Sequence, residues 1–114
     1  MEQPLEGSTI SELSDGQYSY NYFNHNPEVI EFFESKGLQG GGYTWEALAK
    51  AGLKISKAKL SDSIEFDSEG DALFASSESK EALIELEAVI KKIASDTVFR
   101  DKCLDLAEQD GDLE

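Results

Sequence analysis

The sequence predicts an α+β domain: an antiparallel sheet of about four strands with helices packed on one face. Three observations predict it. Tyr18, Tyr20 and Tyr22 alternate with Ser19 and Asn21, the period of a half-buried strand. Leu83, Leu86, Ile90 and Ile93 recur at helical spacing, as an amphipathic helix requires. Ser14-Asp15-Gly16 and Ser68-Glu69-Gly70 are turn signals between strand-like segments, which marks two hairpins.

The elements follow in order. Residues 1–8, with Pro4 and Gly7, are expected to fray. Ile10 to Leu13 and Gln17 to Phe23 make the first hairpin. Asn26-Pro27 reads as N-cap and first helical residue, with Glu28 where a carboxylate suits the helix dipole. Val29, Phe32, Phe33 and Lys36 continue at helical spacing, and Gly37 is the expected stop. Gly40-Gly41-Gly42 forms a loop; Thr44 is placed to cap a helix with Trp45, Leu48, Ala49 and Gly52 on one face. From Ile55 to Leu60 helix and short strand are both open. Ser63 to Asp67, with Ile64 and Phe66 inward, and Asp71 to Ala75 form the second hairpin. Ser79 caps a long helix; Ser95 or Asp96 caps the last, whose Phe99, Cys103 and Leu106 face in. Residues 108–114 are acidic and expected to be loose.

The order is therefore ββααββαα. Sliding the chain by 54 residues lays Ile10 on Ile64, Tyr20 on Phe74 and Val29-Ile30-Glu31-Phe32 on Leu83-Ile84-Glu85-Leu86 without a gap. A duplication predicts two similar halves sharing one sheet; chance agreement in a short amphipathic chain is the competing explanation.

Length and charge bound the function. The 114 residues make one domain, 1–114, with 39% apolar residues, enough for one modest core. Ten Lys and Arg face 24 Asp and Glu, a formal net charge of −14. Such a surface steers a cationic partner. Nucleic-acid binding needs a basic stripe, and the best cluster, Lys50, Lys54, Lys57 and Lys59, reads as a solvated face. Anionic membranes are disfavoured for the same reason, and no apolar run reaches a bilayer-spanning length. Met1-Glu2-Gln3-Pro4 lacks the basic and apolar regions of a signal peptide. The single cysteine, Cys103, excludes an internal disulfide and fits a reducing compartment, so the cytoplasm is expected.

Catalytic groups are sparse. His25 reads as a polar loop residue before a helix, and Cys103 as a small buried thiol. Zinc spacing is lacking, and Asp67, Glu69 and Asp71 fall short of a calcium loop; no metal or cofactor is expected. The three glycines lack the lysine of a phosphate-binding loop. Two helical carboxylate faces, Glu28, Glu31 and Glu34, and Glu78, Glu81 and Glu85, read as solvated backs or as parts of an acidic surface.

Phe32-Phe33-Glu34-Ser35-Lys36-Gly37, Gly41-Gly42-Tyr43-Thr44-Trp45-Glu46-Ala47-Leu48-Ala49 and Ile64-Glu65-Phe66-Asp67-Ser68-Glu69 resemble the Immunity protein 51 family, bacterial antidotes to polymorphic and contact-dependent toxins. The likeness runs from about Tyr20 to Leu106, and its order and spacing carry more weight than any one segment. It implies a producer-cell protein that binds and neutralises its own toxin domain; with catalytic groups sparse, no enzyme is expected. An acidic antidote fits a cationic toxin, a basic nuclease; that expectation comes from charge and not from the resemblance. An acidic regulatory protein or nucleic-acid mimic is the alternative. The candidate contact residues are Asp62, Glu65, Asp67, Glu69 and Asp71, five carboxylates in ten residues with no lysine among them, together with Tyr43 and Trp45. Trp45 has a competing reading as a core anchor.

Overall fold

The tyrosine alternation becomes the second strand of a hairpin. A computed structural model describes residues 7–14, 16–23, 26–38, 40–70 and 72–111. β1 (Ser8–Ser14) pairs antiparallel with β2 (Gln17–Tyr22), placing Ile10 opposite Tyr20. Tyr20 and Tyr22 are buried and Tyr18 packs on the core edge. Tyr20 Oη, Ser8 Oγ and Glu87 Oε2 form a chain of 2.9 and 2.5 Å. Ser8 has one hydroxyl proton, so Tyr20 donates to Ser8 and Ser8 to the carboxylate. That chain ties the start of β1 to the helical layer.

Helix α1 (Pro27–Ser35) begins as its sequence predicts: Asn26 accepts the Glu28 amide and Pro27 opens the helix. It ends in a Schellman motif, with Gly37 at φ +73 and the Leu38 amide returning to Phe33 O at 2.9 Å. Helix α2 (Gly42–Ile55) departs from expectation at its start. Its N-cap is Gly41, while Thr44 is fully buried and its hydroxyl accepts the Gly40 amide at 3.2 Å. The cause is close approach: a Cβ on Gly42 would lie 2.0 Å from Ala72 O and 2.1 Å from Glu69 O. The helix therefore starts at the residue that can touch that loop. At its other end α2 absorbs Ile55, and Lys57 takes the left-handed position at φ +55.

The second hairpin is shorter than expected. Residues Ser61–Ser63 form a 3-10 turn, closed by the Ser63 amide and hydroxyl on Leu60 O. That local bonding leaves only β3 (Glu65–Phe66) to pair with β4 (Leu73–Ser77). β4 is Leu73–Ser77, preceded by a loop that the Glu69 amide closes on Ala72 O; Asp71, the expected start, lies outside the described residues. The sheet order is β1-β2-β4-β3, antiparallel throughout.

Ser79 caps α3 (Lys80–Ser95) and Asp96 caps α4 (Thr97–Gln109). The stripe Leu83, Leu86, Ile90 and Ile93 is buried. Gly52 lets α2 cross the other two helices, since a Cβ there would meet Val89 Cγ1 at 2.5 Å. Residues 1–6 and 112–114, where loose ends were expected, lie outside the described residues; Ser8 belongs to β1 and α4 reaches Gln109.

The two halves repeat the same order of elements, with β2 and β4 paired at the centre of one sheet. Adding 54 to Gly42–Ile55 gives 96–109, and α4 is Thr97–Gln109. The gap-free alignment fails in the strands. It lays inward Tyr20 on Phe74, whereas the register sets Tyr20 beside Ala75 and turns Phe74 to the opposite face. The helices superpose in sequence; the strands need a one-residue shift.

Candidate functional site

The second hairpin brings together most of the carboxylates singled out by sequence. Glu65 stands opposite Ser76, and the Asp67 amide donates to Phe74 O at 2.8 Å. Both are exposed, as are Glu69 and Asp62. Asp71 and His25 lie outside the described residues. The four described carboxylates fall into two adjoining depressions. One, of about 300 Å³, holds Asp62 and Glu65 with Gln17 and Glu78; the other, of about 320 Å³, holds Asp67 and Glu69 with Leu13, Ser19 and Phe74. Ser76 borders both.

None of these carboxylates forms an ion pair with a described residue. The pairs among the described residues are Lys50–Glu46 at 3.3 Å and Lys54–Asp110 at 2.7 Å; Lys50 also lies 5.6 Å from the ring of Phe66 on β3. Ser68, between Asp67 and Glu69, is buried and its hydroxyl has no partner among the described residues.

Tyr43 is 57% exposed on the first turn of α2. Its neighbour Gly42 donates to Gly70 O at 3.2 Å, so the exposed ring is anchored beside the hairpin loop. Trp45 is corrected by the structure. At 2% exposure it offers no surface to a partner; it packs edge-on against Tyr22 at 4.9 Å and Phe33 at 5.5 Å, joining sheet, α1 and α2. Residues Gly42 and Trp45 of the same motif thus serve packing, one through close approach and the other through bulk.

Gln17, Leu13 and Phe74 join this surface without a sequence signal for it, and Glu78, expected on a helical face, lies here as well. The Gln17 amide reaches Glu78 Oε1 at 3.4 Å, across from β2 to the end of β4. The register of β2 on β4 brings them together, and no local pattern states it. Glu28, Glu31 and Glu34 are exposed on α1. Glu85 is half-buried beside a separate depression of about 390 Å³ that Lys57, Lys59 and Lys92 line.

Burial pushes the Cys103 thiol up to about 12, against a smaller opposing effect of Lys92, so it is held as a thiol. Among the described residues no group of three His, Cys, Asp or Glu could hold a metal, and no helix is long and apolar enough to cross a membrane.

The structure is a two-layer domain with a set of exposed carboxylates that have no ion pair among the described residues. The chain belongs to the Immunity protein 51 family, whose model matches residues 9–109. The match takes in β1 as well as the segments that carry the resemblance. Membership in an immunity-protein family points to toxin neutralisation. No curated protein and no solved structure matches the chain.

Proposed function

We propose that this chain neutralises a cationic toxin domain, a basic nuclease of a contact-dependent or polymorphic system, by forming a stoichiometric complex in the cytoplasm of the producing cell. It works by binding and not by catalysis. The observation that carries the reading is the hairpin itself: Asp62, Glu65, Asp67 and Glu69 are exposed and have no cationic partner among the described residues. Left unpaired, they repel one another in the free protein; facing Lys and Arg of a partner, they speed its encounter. Tyr43 adds an exposed aromatic beside them, of the kind enriched in binding hot spots.

The test is reversal of charge. The variant Asp67→Lys with Glu69→Lys should keep the fold, because both side chains are exposed. Its association rate with the toxin domain encoded beside this chain should fall by about tenfold or more at low salt. The difference should shrink as salt screens charges beyond about 8–10 Å. Unchanged rates at low salt would remove the hairpin from the interface.

A further inference from the structure

The sheet has two faces, and the helices cover one. Along β2 and β4 the side chains of Tyr20, Tyr22, Leu73 and Ala75 are buried, so the alternate residues Ser19, Asn21, Phe74 and Ser76 look the other way. The register extends that second face across the sheet. Thr9 lies opposite Asn21 and Ser11 opposite Ser19 on one side; Glu65 lies opposite Ser76 on the other. Every one of these outward residues is exposed or half-exposed.

Two properties set this face apart. The first is apolar. Leu13, at the irregularity between Glu12 and Ser14, is 62% exposed. Phe23 is 40% exposed and stands edge-on to Phe74, ring centroids 6.3 Å apart. Leu13 and Phe74 border the depression that Asp67 and Glu69 also line. The second property is charge. No Lys or Arg occurs before Lys36, and none between Lys59 and Lys80. Those two stretches contain all four strands, so all ten cations of the chain lie on helices, at the C-cap of α1 or on the turn after α2.

We propose that this uncovered sheet face is the docking surface for the cationic toxin domain, with Leu13, Phe23 and Phe74 as its dry centre and Glu65, Asp67 and Glu69 as its charged edge. The inference rests on the neutralisation reading above and adds the surface to it. Charge selects the occupant. A basic partner gains attraction at every carboxylate and meets no cation on the face. A second copy of this chain would bring like charge against like, which costs several kcal/mol in an interface. The two properties then divide the work: exposed carboxylates govern encounter, and apolar anchors at the centre govern dissociation.

The experiment uses the full chain and the toxin domain encoded beside it, the latter carrying a substitution that abolishes its toxicity. Binding is followed by surface plasmon resonance. One double variant, Leu13→Ser with Phe23→Ser, strips the sheet face. A control, Ile84→Ser with Val98→Ser, strips two equally exposed residues from the helical layer. Circular dichroism and urea midpoints verify that both fold. The sheet variant should weaken binding by about 100-fold, chiefly through faster dissociation, and the control by less than about threefold. Wild-type complex formation with the sheet variant binding as well as the control overturns the docking face and leaves neutralisation standing. Failure of the wild-type chain to bind the toxin domain overturns both. A wild-type dimer in sedimentation that Phe23→Ser dissociates overturns the proposal by showing the face to be a self-interface.

Discussion

Arg100 is the one buried cation, and its removal should cost more than that of any surface charge. It is 2% exposed, and its guanidinium makes no salt bridge among the described residues. Instead Nε donates to Ile93 O at 2.8 Å and Nη2 to Ala94 O at 2.9 Å, two carbonyls in the last turn of α3 that the helix itself leaves unsatisfied. Its carbon sits 5.1 Å from the Phe32 ring centroid, which links α4 to α1 as well. Arg100→Met keeps the apolar stem and removes both bonds. Each hydrogen bond from a charged donor is worth about 1.5–3 kcal/mol, and part of that is returned because a buried charge no longer needs desolvation. The net loss expected is about 2–4 kcal/mol, a large share of a total of about 5–15. Arg100→Lys keeps the charge but lacks the fork that reaches two carbonyls, so it should fall between. Urea unfolding followed by circular dichroism reads the result. At about 1–3 kcal/mol per molar the Met variant's midpoint should drop by about 1 M or more with an unchanged slope. A midpoint within experimental error of wild type would mean that desolvation of the cation cancels its bonds, and the capping argument would be wrong.

Three further outcomes follow from the geometry. Gly42→Ala should lose about 2 kcal/mol or more, since its Cβ would collide with the fixed carbonyls of Ala72 and Glu69, while Gly70→Ala, with open space around it, should gain about 0.4–1; thermal melts of the pair check this. Lys57→Gly should raise stability by about 0.5–1 kcal/mol, because the left-handed backbone costs a lysine about 1–2 and glycine returns only part of that in entropy; the urea midpoint should rise accordingly. Cys103 gives a pH dependence. Burial raises its thiol from 9.0 to about 12, so above pH 9 the unfolded chain has released a proton that the folded chain still holds. Stability is then fully present below pH 9 and falls as pH rises toward 12, by at most about 1.4 kcal/mol per unit for one group. Cys103→Ala should flatten the fall between pH 9 and 10, below the range where buried Tyr20, also shifted upward, begins to contribute; an unchanged slope in that interval would refute it.

Much of the fold was legible because its signals are local. Asn26, Ser79 and Asp96 cap the helices their positions promise, and Leu83, Leu86, Ile90 and Ile93 occupy the buried stripe their spacing requires. What was illegible depends on partners distant in sequence. Thr44 has the chemistry of a cap, yet the contact of Gly42 with Ala72 and Glu69 decides where α2 begins. The expected strand ends at Ala75, yet cross-strand pairing of Ser76 and Ser77 with Ser19 and Tyr18 extends it. Arg100 carried no signal as a buried residue, because the carbonyls that hold it belong to the end of another helix. The acid cluster was visible as a run; its division between two depressions depends on the neighbours that strand pairing brings beside each part, Gln17 and Glu78 for one, Leu13 and Phe74 for the other.

The distribution of cations explains how a chain of net charge −14 can carry such a surface. Attraction is spent where packing is made. Arg100 closes α3, Lys50 and Lys54 pair with Glu46 and Asp110, and Lys92 lies 4.4 Å from the Phe99 ring. All four sites belong to the helical layer. The strands carry no cation of their own; Lys50 of α2 lies 5.6 Å from the Phe66 ring of β3, and otherwise the sheet's stability rests on tyrosines, on ladder hydrogen bonds and on the Ser8–Glu87 link to α3. A lysine placed beside Glu65 or Asp67 would relieve repulsion in the free domain and so raise its stability. It would also occupy the carboxylates that a basic partner needs, so stability gained on this face would be affinity lost.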